Sequence, residues 1–215
     1  MTHAFPPRLL PVLPVTGSDL VYPVARIFCV GRNYEAHAAE MGNQVDREAP
    51  FWFTKSAFAL IPSDGILPYP PGTQDLHHEV ELVLALGEGG DVWGFGVGLD
   101  MTRRDLQAKA KAAGKPWDTA KDFEGSAIVG PLVRGRPDPQ AVLALTVNGV
   151  TRQEAPLSQM VHGIDALLGH VRGLYSPGPG DLIMTGTPAG VGPVVPGDRL
   201  EGMLDGVPPV TLRIA

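Results

Sequence analysis

Apolar and polar positions alternate over short stretches of the chain, which predicts many strands and few helices. The run Leu76-His77-His78-Glu79-Val80-Glu81-Leu82-Val83-Leu84-Ala85-Leu86 sets the pattern. Read as a strand, it turns His78, Val80, Leu82, Leu84 and Leu86 to one side and His77, Glu79, Glu81, Val83 and Ala85 to the other. After a turn at 87–91, Val92 to Asp100 alternates again: Trp93, Phe95, Val97 and Leu99 oppose Val92, Gly94, Gly96, Gly98 and Asp100. Further strands are expected at 26–30, 51–55, 181–185, 198–204 and 210–214. Leu143 to Val147 runs into Asn148-Gly149, a hairpin signal.

Helical spacing is confined to a few segments. One is expected over 34–41, with Asn33 as cap and Gly42 as stop, and one over 103–113, where Thr102 and Asp105 have capping-box spacing and Gly114 ends the run. A third, amphipathic, runs from Ser158 to about Tyr175 and includes His162 and His170 as structural or surface residues. Residues 66–71 are expected as loop or edge, and 115–121 as a loop. Four prolines in residues 1–20 suggest an arm or one edge strand over 9–15. The expected fold is α+β and β-rich, with an arm at 1–19 and one domain over 20–215.

Composition supports this and removes several classes. With 215 residues, 44% hydrophobic and 19% charged, the chain can bury a sizeable core. A net charge of −6 gives no footprint for nucleic acid or an anionic membrane. No run of 18 apolar residues and no signal-peptide pattern occurs, and the single cysteine, Cys29, fits a reducing compartment. A cytoplasmic location is the expectation.

Glu79 and Glu81 share a strand face, roughly 7 Å apart at Cα. Alone, they also suit a solvated edge strand whose charges discourage aggregation. Three glycines on one face of the next strand need a reason, either close backbone approach or a ligand, and Asp100 ends that face. Three carboxylates on neighbouring strands favour a metal site. An all-oxygen donor set suits Mg²⁺ first, then Mn²⁺ or Ca²⁺, and suits zinc less well.

Other candidates gather around these three. His37 and Glu40 are neighbours on one helix face, where a carboxylate can orient an imidazole as a general base; a surface ion pair is the alternative. Arg104 and Gln107 share a helix face near Asp100 and suit an oxygen-rich anion, or simply solvent. A loop returns Lys121 to the same region. The loop Gly186-Thr187-Pro188-Ala189-Gly190-Val191-Gly192 lacks phosphate-loop and dinucleotide spacing, yet its N–H groups and the Thr187 hydroxyl suit a carboxylate; tight turning is the other reading.

Taken together, the segments Cys-Val-Gly-Arg-Asn-Tyr-x-x-His-x-x-Glu (29–40), Phe-Thr-Lys (53–55), His-His-Glu-x-Glu (77–81), Leu-Asp-Met-Thr-Arg-Arg-Asp-Leu-Gln (99–107), Ala-Lys (120–121) and Thr-Gly-Thr-Pro-x-Gly-Val-Gly (185–192) resemble the fumarylacetoacetate hydrolase family, in its small acylpyruvase or fumarylpyruvate hydrolase branch. The resemblance implies a mixed β-roll, homodimeric, with Mg²⁺ or Mn²⁺ on Glu79, Glu81 and Asp100. It also implies His37 and Glu40 on a lid, with Lys121, Arg104, Gln107 and Thr187 around the ligand and Lys55 near the site. Two departures stand out. The family usually has a longer segment where this chain has only 87–91, and Ala127-Ile128-Val129 differs from its more usual pattern.

The implied activity is metal-dependent hydrolysis of a C–C bond in a 2,4-dioxo acid, an acylpyruvate such as fumarylpyruvate, giving pyruvate and a carboxylic acid in aromatic catabolism. Oxaloacetate decarboxylation and isomerisation of a hydroxymuconate-like acid use related enolate chemistry and are the enzymatic alternatives. A non-catalytic binder of small dicarboxylates has no use for a base beside a hydrolytic water. A cysteine hydrolase is remote, because Cys29 lies in an apolar strand.

Overall fold

Strands dominate the computed structural model, which describes residues 2–215; residue 1 of the expected arm lies outside them. The main sheet has eight strands. Seven run in the order Phe51–Lys55, Arg26–Gly31, Asp181–Met184, Val80–Leu86, Val92–Asp100, Ala127–Val129 and Leu60–Pro62, and Val133–Arg134 adds to the Val92–Asp100 strand. Directions are mixed: Asp181–Met184 lies parallel to Arg26–Gly31 but antiparallel to Val80–Leu86. A second sheet has the order Val150–Pro156, Val142–Val147, Arg199–Leu204, Val210–Ile214 and Gly65–Leu67. The expected hairpin is present, with Asn148 at φ 52° and Gly149 at φ 77°, both in the left-handed region its turn needs.

The strand carrying Glu81 is central, not a solvated edge. Both of its faces are covered, and every residue of Val80–Leu86 is buried. Val80, Leu82, Leu84 and Leu86 pack with Leu143, Leu145, Leu200 and Leu212 of the second sheet. Val83 and Ala85 pack on the opposite side with Cys29, Leu182 and Met184, and with Leu13, Val15 and Val24 from the N-terminal segment. Each leucine buried this way contributes about 1.5–3 kcal/mol, so the strand is anchored through both layers. The N-terminal segment supplies the outer cover through the short pair Val12–Pro14 and Val21–Pro23 and a Leu132–Pro14 backbone hydrogen bond.

The glycine-lined face is explained by backbone. A Cβ on Gly94 would lie 2.8 Å from the Val133 carbonyl oxygen, and one on Gly98 would lie 2.7 Å from Val83 Cγ2 and 2.9 Å from the Ile128 oxygen. The glycines admit the Ala127–Val129 and Val133–Arg134 strands, and Asp100 alone of that face reaches the candidate site.

Helices occur at Glu35–Glu40, Arg104–Ala112, Asp118–Lys121 and Ile164–Leu174. Neither expected cap forms. Tyr34 occupies the N-cap of the first helix, while Asn33 donates to the carbonyls of His162 (3.1 Å) and Thr185 (2.8 Å) and accepts from the His162 N–H. Before the second helix, Asp105 accepts from the Thr73 hydroxyl and the Thr102 hydroxyl accepts from Lys121. Residues 118–121, expected as loop, form a helical turn that presents Lys121. His162 precedes the Ile164–Leu174 helix, buried and with Nε2 2.7 Å from the Asp46 carbonyl oxygen, and His170 accepts from the Trp52 indole, so both are structural. Among the described residues, no helix is long and apolar enough to cross a membrane.

Gly98→Ala forces a methyl into the Ile128 backbone beside Val83. Overpacking of this kind costs about 1–3 kcal/mol. Urea unfolding should show a lower midpoint at unchanged slope; a loss below about 0.5 kcal/mol would contradict the packing described.

Candidate active site

The continuous run read from sequence breaks at Glu79. Leu76–His78 pairs with Thr102–Arg103 and Gly192–Pro193, and Val80–Leu86 then enters the main sheet. The break leaves Glu79 at the sheet end, where its carbonyl accepts the Asp100 N–H at 2.8 Å. Glu81 pairs with Gly98 on the neighbouring strand, two residues from Asp100. Strand register therefore brings the three carboxylates together: one oxygen from each lies within 4.8 Å of the others, and all three residues are buried.

Cations surround this cluster unevenly. Lys121 Nζ lies 2.7 Å from Glu79 Oε2 and 2.7 Å from Asp100 Oδ2, and donates to Thr102 Oγ1 at 2.7 Å. Lys55 Nζ is 2.7 Å from Asp100 Oδ1 and donates to the Lys121 carbonyl. Arg104 pairs with the other oxygen of Glu79 and donates to Gln107 Oε1 at 2.6 Å. Glu81 accepts only the Gly186 N–H, at 2.8 Å, and has no ion pair among the described residues.

The titration directions follow. Burial raises Glu79, but Lys121 and Arg104 outweigh it and hold the carboxyl well below the usual range. Burial, then the charges of Asp100 and Glu79, push Glu81 well up. A buried carboxylate left without a cation beside two others fits a divalent ion, which supplies the missing charge and an all-oxygen shell. Glu79, Glu81 and Asp100 would hold it. His77 and His78 stay out: His77 lies against Asp75 and Arg104, and His78 against Gln153. That excludes a histidine-rich zinc shell.

A small cavity of about 30 Å³ opens on the cluster, lined by His37, Glu79, Glu81, Arg104, Gln107, Lys121 and Thr187. His37 is buried, and that burial lowers its pKa below the usual histidine value, leaving the imidazole neutral near pH 7. Its Nδ1 is 3.6 Å from Glu40 Oε2, an ion-pair distance without a hydrogen bond. Glu40 instead accepts the Gly190 N–H and ties the helix to the glycine-rich loop. A Cβ on Gly190, at φ 94°, would lie 1.9 Å from the Arg152 oxygen, so this tie needs glycine.

Sequence-derived candidates thus divide in two. His37, Arg104, Gln107, Lys121 and Thr187 reach the cavity beside the carboxylates. Lys55 is sealed beneath Asp100, Gly186 holds Glu81 through its backbone, and Glu40 lies outside, 37% exposed. Sequence reasoning missed Arg32, Asn43, Phe53, Lys111 and Trp117, which also line the cavity. Lys111 had a signal, since Arg104, Gln107 and Lys111 follow i, i+3, i+7 on one helix. Gln153 had none: it accepts from Val80 N–H and donates to Thr187 Oγ1 across 34 residues.

Residues 26–215 match the family described as Fumarylacetoacetate (FAA) hydrolase C-terminal. A fumarylpyruvate hydrolase of a Ralstonia species is 40% identical over 188 residues, 81% of this chain and 98% of that protein. An oxaloacetate tautomerase of Escherichia coli is 39% identical over 204 residues, covering 88% and 93%. The crystal structure of fumarylpyruvate hydrolase from Pseudomonas aeruginosa, in complex with Mn²⁺ and pyruvate, superposes with a TM-score of 0.95 at 41% identity, covering 100% of this chain and 99% of its own. The family match, the sequence identities and the superposition agree, and the chain belongs to the fumarylacetoacetate hydrolase family.

Proposed function

We propose that this protein is a divalent-metal-dependent hydrolase that cleaves the C–C bond of an acylpyruvate, releasing pyruvate and a carboxylic acid. The observation that carries this reading is a neutral, buried His37 sharing one small cavity with Glu79 and Glu81, close to Asp100. The Mn²⁺ and pyruvate held by the Pseudomonas aeruginosa relative support it.

When bound, the metal supplies Lewis acidity and a template for the 2-oxo carboxylate end of the substrate. Arg104, held by Gln107, and the Thr187 hydroxyl orient that end. His37 takes a proton from water as the water oxygen bonds to the C4 carbonyl carbon. The C3–C4 bond then breaks as the C4 oxygens become the carboxyl group of the released acid, and its electron pair passes into the pyruvate enolate, which takes at C3 the proton held by His37. The Lys121 ammonium offsets the developing negative charge. The oxaloacetate tautomerase relatives favour one second reading on the same residues, in which His37 relays a proton between C3 and oxygen without an attacking water. Pyruvate release separates the two.

Mg²⁺ is the expected ion, with Mn²⁺ and Ca²⁺ next, on the strength of the all-carboxylate donors. The same reading makes the chain a homodimer in a reducing cytoplasm, serving aromatic catabolism. The free, buried Cys29 suits that compartment.

Exhaustive chelation should abolish pyruvate release from an acylpyruvate, and Mg²⁺ or Mn²⁺ should restore it; full turnover of the metal-free protein would contradict the reading. His37→Ala should lower kcat by about 10²–10⁴-fold while metal stoichiometry by equilibrium dialysis stays intact. Loss of the metal instead would remove His37 from its role as base. Because burial lowers the His37 pKa, the neutral form persists at pH 7 and disappears only under acid. The acid limb of kcat/KM at saturating Mn²⁺ should therefore fall below about pH 6.5, and a midpoint above 7 would count against a buried base.

A further inference from the structure

One buried side chain joins the second sheet to the cavity and takes no part in the steps above. Gln153 lies on the Val150–Pro156 strand and is 1% exposed. The hairpin register slips between Leu145 and Thr146: Gln153 faces Leu145, Thr151 faces Thr146, and Arg152 is the extra residue of a bulge. Bulges re-aim side chains, and here Gln153 turns into the protein while Arg152 stays exposed. The glycine-rich loop rests on the same bulge, because Gly190 approaches the Arg152 carbonyl too closely for any Cβ.

The Gln153 amide uses its full hydrogen-bonding capacity. Oε1 accepts the Val80 N–H at 3.1 Å and lies 3.0 Å from His78 Nδ1. Nε2 donates to the Pro188 carbonyl and to Thr187 Oγ1, both at 2.8 Å. Two of these partners have one role only: the Val80 N–H donates and the Pro188 C=O accepts. They fix which end of the amide is oxygen, since turning it over would set donor against donor and acceptor against acceptor. His78 Nδ1 therefore carries a proton, and Thr187 Oγ1 is bound as an acceptor. The Thr187 hydroxyl proton then has no acceptor among the described residues, although the side chain is buried and lines the cavity with Glu79, Glu81 and Arg104. A buried donor in that state is costly until a ligand meets it.

We propose that Gln153 is a positioning residue that holds the Thr187 hydroxyl as a hydrogen-bond donor into the cavity, where it meets a carboxylate oxygen of the ligand. This rests on the acylpyruvate reading above, which puts the 2-oxo carboxylate end of the substrate beside Thr187. A threonine hydroxyl left to itself can present its proton or its lone pairs, and the lone pairs would repel a carboxylate. By donating to Oγ1, Gln153 leaves only the proton to face the ligand. The same amide grips Val80, next to the strand break at Glu79, and Pro188, next to Thr187. The direction of the donor and the distance of its loop from the carboxylate cluster are thus set by one side chain of the second sheet.

Water-proton relaxation of the Mn²⁺-loaded protein, titrated with pyruvate, tests this without turnover. Thr187→Val should weaken pyruvate by about 10-fold, the range expected for losing one hydrogen bond to a charged group, whereas Thr187→Ser keeps the hydroxyl and should retain most of the affinity. Gln153→Met fills similar space without a donor. It should weaken pyruvate by about as much when Thr187 is intact, yet add little in the Thr187→Val background, because both changes remove the same bond. An equal further loss in both backgrounds marks a merely structural role and overturns the assignment, as does full affinity in Gln153→Met. Should Gln153→Met fail to fold, equal pyruvate affinities of Thr187→Val and Thr187→Ser overturn it alone and leave the acylpyruvate reading standing. Failure of pyruvate to bind the loaded wild-type protein overturns that reading, and the assignment with it.

Discussion

Glu79, Glu81 and Asp100 place three carboxyl groups within 4.8 Å of one another, out of water, where they cannot all be charged without a cation. Each pair of full charges about 4 Å apart repels by about 4 kcal/mol even at an effective dielectric of 20. The surrounding structure answers that repulsion only in part. Lys121 bridges Glu79 and Asp100, Lys55 meets Asp100 from below, and Arg104 meets Glu79. Glu81 is left with a backbone N–H. The arrangement is complete only with another positive charge among the three oxygens, and that shortfall gives the site its chemistry.

The fold holds these charges in place by making their strands immovable. The Val80–Leu86 strand is buried on both faces, between the second sheet and the N-terminal segment. The ladder with its neighbour fixes Glu81 against Gly98 and leaves Glu79 beside Asp100, while glycines at 94, 96 and 98 let the 127–134 segment close on that neighbour's other edge. The other groups lining the cavity come from short helices outside the sheet. His37 lies on a helix tied down through Glu40 to Gly190, and Lys121 on one helical turn. A metal-templated reaction asks its scaffold for a fixed ligand set with the other reacting groups held close to it.

Much of this was legible in the chain because its signals are local. Period-two alternation located the two central strands, and the spacing of Glu79, Glu81 and Asp100 put three carboxylates on facing positions. The glycine face correctly implied close approach, although backbone and not ligand fills it. What could not be read depended on residues distant in sequence. Asn33 and Thr102 have cap chemistry, but tertiary partners took their hydrogen bonds: His162 and Thr185 for the first, Lys121 for the second. An alternating charged strand looks the same at a sheet edge as at its centre until both covering layers are known. Lys55 was expected around the substrate, and only the packed structure shows it sealed under Asp100.

The central claim is that one divalent cation completes the Glu79–Glu81–Asp100 cluster. Anomalous diffraction at the manganese edge, from crystals grown with Mn²⁺, addresses it most directly. The account predicts a single strong peak with an oxygen of each of the three carboxylates in its coordination shell, about 2.0–2.3 Å away. A peak placed elsewhere, or three ordered carboxylates with no scatterer among them, would contradict it.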